Sequence, residues 1–226
     1  MALVHRLRAL LRRPASASKV GLRRPTSSPD HDDTLQEDAL RAMLAEDPNN
    51  VRAFKALAEI VRRRAAEAPA DADPLIATAD ERQRAADLAV WALGEELAGH
   101  PRAWYPLVEL ARLSVHDDLE GATRRLVTAA ERDESGHALA EAVALLRHAG
   151  LPTEGLGLGV GHWRVGSHVP EVGRELVLAA VEAGRPAEAR GHLDAMATYG
   201  RLPSRMRAEL EQVVAEASSH SGSAQA

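Results

Sequence analysis

The sequence predicts an all-α chain of antiparallel helical hairpins, stacked as a short solenoid behind a flexible N-terminal arm. Three observations carry that expectation. One stretch, Arg52-Ala53-Phe54-Lys55-Ala56-Leu57-Ala58-Glu59-Ile60-Val61-Arg62, recurs fifty residues later as Arg102-Ala103-Trp104-Tyr105-Pro106-Leu107-Val108-Glu109-Leu110-Ala111-Arg112. An internal repeat with an aromatic and small residues at fixed helical offsets is the signature of a helical-repeat array. Hydrophobic residues make up 45% of the 226 but aromatics only 3%, so Ala, Leu and Val must build the core. Small side chains let helices approach closely, whereas a β-sandwich would draw on more β-branched and aromatic residues. Finally, Gly and Pro punctuate the chain at intervals that suit helix ends.

The elements follow in order. Residues 1–13 can form an amphipathic helix, with Leu3, Leu7, Leu10 and Leu11 on one stripe and Arg6, Arg8, Arg12 and Arg13 around it. Residues 14–33 are rich in Ser, Pro and charge and read as a disordered linker, giving an arm over 1–33. A helical domain is expected over 34–217. Thr34 and Glu37 fit a capping box at its start. That helix stops before Asp47-Pro48, and Asn49 or Asn50 caps the next, which carries the first copy of the repeat to about Glu67. Two prolines break residues 68–75. Another helix covers about 79–98 and ends at Gly99. In the second copy, Pro106 favours either a kink or a helix that begins near Tyr105. Asp117 or Asp118 caps a helix over about 119–132, and Ser135 starts one that ends at Gly150. Gly155, Gly157, Gly159, Gly161 and Gly166 make 151–169 read as a loop or irregular excursion. Pro170 opens a helix to Ala183, Pro186 opens the next to about Thr198, and a last helix covers about 204–217. Residues 218–226 read as a frayed tail.

Several functions are excluded by composition. There is no cysteine, so disulfides, thiolate metal sites and thiol catalysis are out. No apolar run approaches the roughly 18–20 residues of a membrane span. The net charge of −5 conceals an asymmetry: residues 1–29 hold seven basic side chains and no acid. Beyond them stand 21 basic against 33 acidic side chains, a net of −12. An acidic body with a basic arm suits a tethered or steered protein. Lysine occurs only at Lys19 and Lys55, and the Ala- and Arg-rich usage resembles a high-GC bacterial composition.

The repeat resembles the tetratricopeptide repeat, a helix–turn–helix unit of about 34 residues. Asp47-Pro48-Asn49-Asn50 matches that family's inter-repeat turn. Phe54, Leu57, Ala58 and Val61 fill first-helix packing positions, and Trp104, Leu107, Val108 and Ala111 fill them again. Leu176, Val177, Ala180, Gly184, Ala189, Leu193 and Met196 reproduce the spacing of a whole unit. Ala140, Val143 and Ala144 mark a further first helix without the aromatic. The resemblance implies a divergent array of three to four units over 34–217, each burying its stripe only by stacking.

It also implies where function sits. First helices line a concave groove, whose facing positions are Arg52, Lys55, Glu59 and Arg62 in one copy and Arg102, Tyr105, Glu109 and Arg112 in the other. The expected role is a non-catalytic scaffold whose groove holds a partner peptide or helix, with Glu59 and Glu109 setting register. The plainer reading of the same residues is a solvated face with Glu–Arg pairs of about 0.2–0.5 kcal/mol each. The family's grip on a C-terminal carboxylate needs Lys and Asn on first helices. Lys55 fits, but Glu59 stands where the Asn is needed and would repel such a ligand.

Other chemistry finds little support. The alternate glycines at 155–161 lack the Lys-Ser/Thr of a phosphate loop and the spacing of a dinucleotide fingerprint. Trp163 beside them could plug the irregular unit or act as a lid, and the plug is favoured. His162, His168 and His31 have no helical ligand spacing, so no metal is expected. No G-x-S-x-G elbow appears. No cofactor and no small-molecule substrate are expected. The arm, residues 1–24, offers the rival function of a peripheral adaptor on an anionic membrane or nucleic-acid phosphates. It also reads as an organellar leader in a eukaryotic source, or as a plain solubilising arm. The expected location is cytoplasmic, membrane-peripheral if the arm acts.

Overall fold

The structure, a computed structural model, describes residues 29–67, 78–199 and 202–223. Among them stand ten helices and no strand: α1 (Pro29–Glu46), α2 (Val51–Glu67), α3 (Ala79–Ala98), α4 (Tyr105–Ser114), α5 (Leu119–Arg132), α6 (His137–His148), α7 (Pro152–His162), α8 (Pro170–Glu182), α9 (Pro186–Tyr199) and α10 (Ser204–Ser223). The architecture below is that of Leu35–Ala226, which forms one compact unit. The amphipathic helix expected over 1–13, most of the linker and the break at 68–75 lie outside the described residues.

The all-α expectation holds: consecutive helices pair antiparallel and the pairs stack. The hairpins are α2/α3, α4/α5, α6/α7 and α8/α9. First helices also meet along the stack, α4 on α6 and α6 on α8, while α10 closes the end against both α8 and α9. One cluster of buried side chains joins α1–α4 through Leu44, Phe54, Leu57, Val90, Leu93 and Tyr105. A larger one runs from α4 to α10 through residues such as Val108, Leu126, Val143, Leu176 and Val214. No pair could bury its stripe alone, which is why the pairs stack.

Two hairpin turns are built alike. Ala149-Gly150-Leu151-Pro152 and Ala183-Gly184-Arg185-Pro186 repeat the same pattern 34 positions apart, 150 to 184. Gly150 and Gly184 take φ of +78° and +71°. The following residues return to the helix, Leu151 N–H to Leu146 O at 2.9 Å and Arg185 N–H to Ala180 O at 2.8 Å. Such a left-handed cap satisfies the last free carbonyls, and the proline then presets the next helix.

Three expectations about element limits need correction. Helix α1 spans Pro29–Glu46, so Thr34 lies inside the helix instead of capping it. Proline suits a first helical turn. Glu37 is buried and instead accepts from Arg41 Nε at 3.2 Å and Arg64 Nη1 at 2.6 Å. Helix α10 continues to Ser223, past the expected end at 217.

The third correction is the glycine-rich segment. Residues 152–162 form helix α7, the second helix of its hairpin, and only 163–169 are irregular. Gly155 and Gly159, four apart, face the neighbours. A Cβ on Gly159 would stand 2.5 Å from Leu176 Cδ2 and 3.0 Å from Val143 Cγ2, and one on Gly155 would stand 3.2 Å from Val143 O. These glycines let α7 lie directly on α6 and α8. The burial of Leu156 and Leu158 offsets their poor helix propensity. Trp163 follows as a plug, half-buried against the larger core with its ring edge-to-face on His192, centroids 5.7 Å apart.

Both asparagines of the Asp47–Asn50 turn are used, in different ways. Asn50 caps its own helix, its Oδ1 accepting from Ala53 N–H at 3.0 Å. Asn49 caps the next unit. Its Oδ1 accepts from Trp104 N–H at 2.7 Å and Tyr105 N–H at 3.0 Å, and its Nδ2 donates to Arg102 O at 2.8 Å. Helix α4 has no side-chain cap of its own. Asn49→Ala should therefore lower stability by about 1–2 kcal/mol in urea unfolding. The loss should exceed that of Asn50→Ala, which removes a single bond.

Candidate functional site

The candidate site is the outward face of the first helices. Helix α2 presents Arg52, Lys55 and Glu59 to solvent, with Arg62 half-buried. These positions share a stripe because three- and four-residue steps return to one face of a helix, opposite Phe54, Leu57 and Ala58 in the core. Arg62 Nη1 lies 3.4 Å from Glu59 Oε2. On α4, Arg112 Nε lies 3.4 Å from Glu109 Oε1. The two copies thus carry the same Glu–Arg pair at the same spacing. Arg112 also reaches Glu141 on α6, Nη2 to Oε2 at 3.7 Å, tying one first helix to the next.

The second copy departs from the first at its start. Helix α4 begins at Tyr105, as Pro106 requires, so Arg102 sits in the α3–α4 turn and not on a helix. Tyr105, expected in the groove, is buried at 3% exposure. Its ring stands edge-to-face to Phe54 and Trp104, with centroids 5.4 and 5.7 Å away. Burial first, and then a hydrogen bond to Glu109, push its phenol well above the usual tyrosine value. The alignment of Tyr105 with exposed Lys55 fails because the later helix start leaves an aromatic at the crossing of two units.

Sequence reasoning missed a buried charge network between two first helices. Between α6 and α8, Arg147 pairs with Glu175 and with Glu182, its Nε 3.0 Å from Glu182 Oε2 and its Nη2 2.5 Å from Oε1. Arg174 also pairs with Glu175. The Arg147 and Glu175 side chains are 9% and 8% exposed. Burial alone would lower the Arg147 pKa, but the carboxylates of Glu182 and Glu175 more than reverse this and raise it. The signal was present in sequence: Glu175 falls in the buried stripe Val172, Leu176 and Ala179, where a charge needs a partner.

The turns between units carry a further polar layer. Arg132 Nη1 donates to Ala98 O, His100 O and Ala103 O at 2.9, 3.2 and 2.8 Å, holding the end of α3. Asp133 takes Ser135 Oγ at 2.6 Å and Ala138 N–H at 2.7 Å. Burial raises the Asp133 pKa, but these bonds outweigh it and hold the carboxyl below its usual value. Asp118 caps α5, its Oδ1 accepting from Gly121 N–H at 2.8 Å.

Among the described residues no three His, Asp or Glu side chains converge as a metal site, and no helix is long and apolar enough to cross a membrane. Arg6, Arg8, Arg12 and Arg13 lie outside the described residues. What this set of side chains offers is cations without an opposing carboxylate: Arg52 and Lys55 on α2, and Arg102 in the α3–α4 turn, are exposed and, among the described residues, have no ion pair. The chain is an all-α protein of sequential helical hairpins, and it matches no known family model, curated protein or solved structure.

Proposed function

We propose that this chain is a non-catalytic interaction scaffold of tetratricopeptide type, which takes a partner helix or extended segment along the face of its first helices. The 34-residue spacing of the Gly150 and Gly184 turns supports that family reading, because it equals the unit length of such repeats. The observation that carries the functional reading is the residual charge of the face. Glu59 and Glu109 are each engaged by an arginine of their own helix, which leaves Arg52, Lys55 and Arg102 as the groups a partner would meet. Register then rests on these cations and not on the glutamates. Tyr105 drops out, because its ring belongs to the core.

The test is affinity capture read by mass spectrometry with the full chain and an Arg52→Glu/Lys55→Glu variant. Both positions are exposed, so circular dichroism should show unchanged helicity. The expected outcome is loss of the main captured partner from the variant. An identical captured set from both proteins would sink the proposal.

A further inference from the structure

The segment joining α7 to α8, Trp163–Val169, carries one imidazole, His168, and packs on a second, His192. Trp163 leaves the helix in extended backbone, φ −70° and ψ 131°. Its indole covers His192, which sits on α9, and helps to line an apolar cleft of about 20 Å³ with Val165, His168, Gly173, Met196 and Leu202. His192 Nε2 is buried without a hydrogen-bond partner. Its nearest carboxylate, Glu188 on the same helix, is 3.9 Å away and is also engaged by Arg185 at 3.4 Å. At the other end of the segment, His168 packs over Gly136, where a Cβ would stand 2.7 Å from its own. His168 Nδ1 accepts from Arg164 N–H at 3.4 Å, and Val169 N–H donates to Ser135 O at 2.9 Å.

We propose that Trp163–Val169 is a pH-gated flap: protonation of His192 and His168 drives it off the α8–α9 hairpin and uncovers Trp163 and the apolar cleft. The physical reason is that a protonated Nε2, buried with only a carboxylate 3.9 Å away that Arg185 shares, is better held in water. His192 is fixed by the backbone of α9, so the cheapest route to water is displacement of the indole that covers it. Protonating His168 also removes its capacity to accept from Arg164 N–H, a bond within the segment, and so loosens the fold that the segment holds when closed.

The charges around both groups agree. Around His192, Glu188 favours the proton, but burial outweighs it and lowers the pKa. Around His168, burial and then Arg164 lower it, against the opposing pull of Asp133 from the α5–α6 turn. Both groups therefore hold fewer protons in the closed state than in water. Closure is fully stable above about pH 6.5 and weakens as the pH falls below it. The surface so uncovered is lined by Val165, Met196 and Leu202.

Acrylamide quenching of tryptophan emission, on the full-length protein at about pH 7.5 and about pH 5, tests this. Far-UV circular dichroism is followed in parallel. The expected result is an emission component that becomes quenchable at the lower pH while helicity is kept. That component should be missing from Trp163→Phe and from His168→Asn/His192→Phe. A wild-type response that does not change with pH overturns the proposal, as does a response that persists in the histidine double variant. Loss of helicity together with quenching also overturns it, since the flap would then not open by itself.

Discussion

Arg147→Ala should lower the unfolding free energy by about 3 kcal/mol, the lower end of the range for breaking a buried ion pair. The substitution leaves Glu175 buried at 6% with Arg174 as its remaining partner, and frees Glu182, which is already exposed. The cost comes less from lost attraction than from a carboxylate stranded between α6 and α8. The counter-experiment is Arg147→Met/Glu175→Leu. Removing both charges and filling the space with apolar atoms should recover most of the loss, because the desolvation cost disappears with the pair. Urea unfolding of the two variants decides it. If the double variant is no more stable than Arg147→Ala, the network contributes net stability in its own right and this account of it is wrong.

The second large effect lies in helix α7, where the sign of a glycine substitution should depend on the face. Gly159→Ala puts a methyl 2.5 Å from Leu176, a side chain with no exposure. Such overpacking should cost about 1–3 kcal/mol. Gly157→Ala adds the same methyl to open space. It should stabilise by about 0.5–1 kcal/mol, because alanine loses less backbone freedom on entering a helix. At this chain length each kcal/mol moves the thermal midpoint by about 2–4 °C, so the two variants should separate visibly in one calorimetric series. If both substitutions destabilise, residues 152–162 are not the helix described.

That helix also marks the limit of what the sequence conveyed. Read alone, five glycines between 155 and 166 outweigh any helical pattern, because propensity is the only term a single segment exposes. The packing that offsets it belongs to Val143, Leu146 and Leu176, on other helices. One clue was still legible. Gly150-Leu151-Pro152 has the form of Gly184-Arg185-Pro186, where the sequence itself marks a turn into the helix that Pro186 opens. Extending the comparison by 34 positions would have placed α7.

The candidate face divides in the same way. Glu59, Arg62, Glu109 and Arg112 were legible because they repeat, and each pairs within three residues, a distance set by helix geometry alone. Tyr105 was misplaced because the start of α4 depends on Asn49, 56 residues away, which supplies the cap that the local sequence lacks. Arg147 and Glu175 were overlooked because their pairing crosses between hairpins.

By itself, then, the sequence determined the class of fold, the helix punctuation and the apolar stripes. Those depend on backbone propensity and on periodicities that act within a few residues. The tertiary structure decided which exceptions were real: a glycine-rich helix made viable by close approach, an asparagine that caps the following unit, a tyrosine drawn into the core and a buried charge network. Each rests on groups distant along the chain, whose desolvation and packing energies do not exist until the hairpins stack.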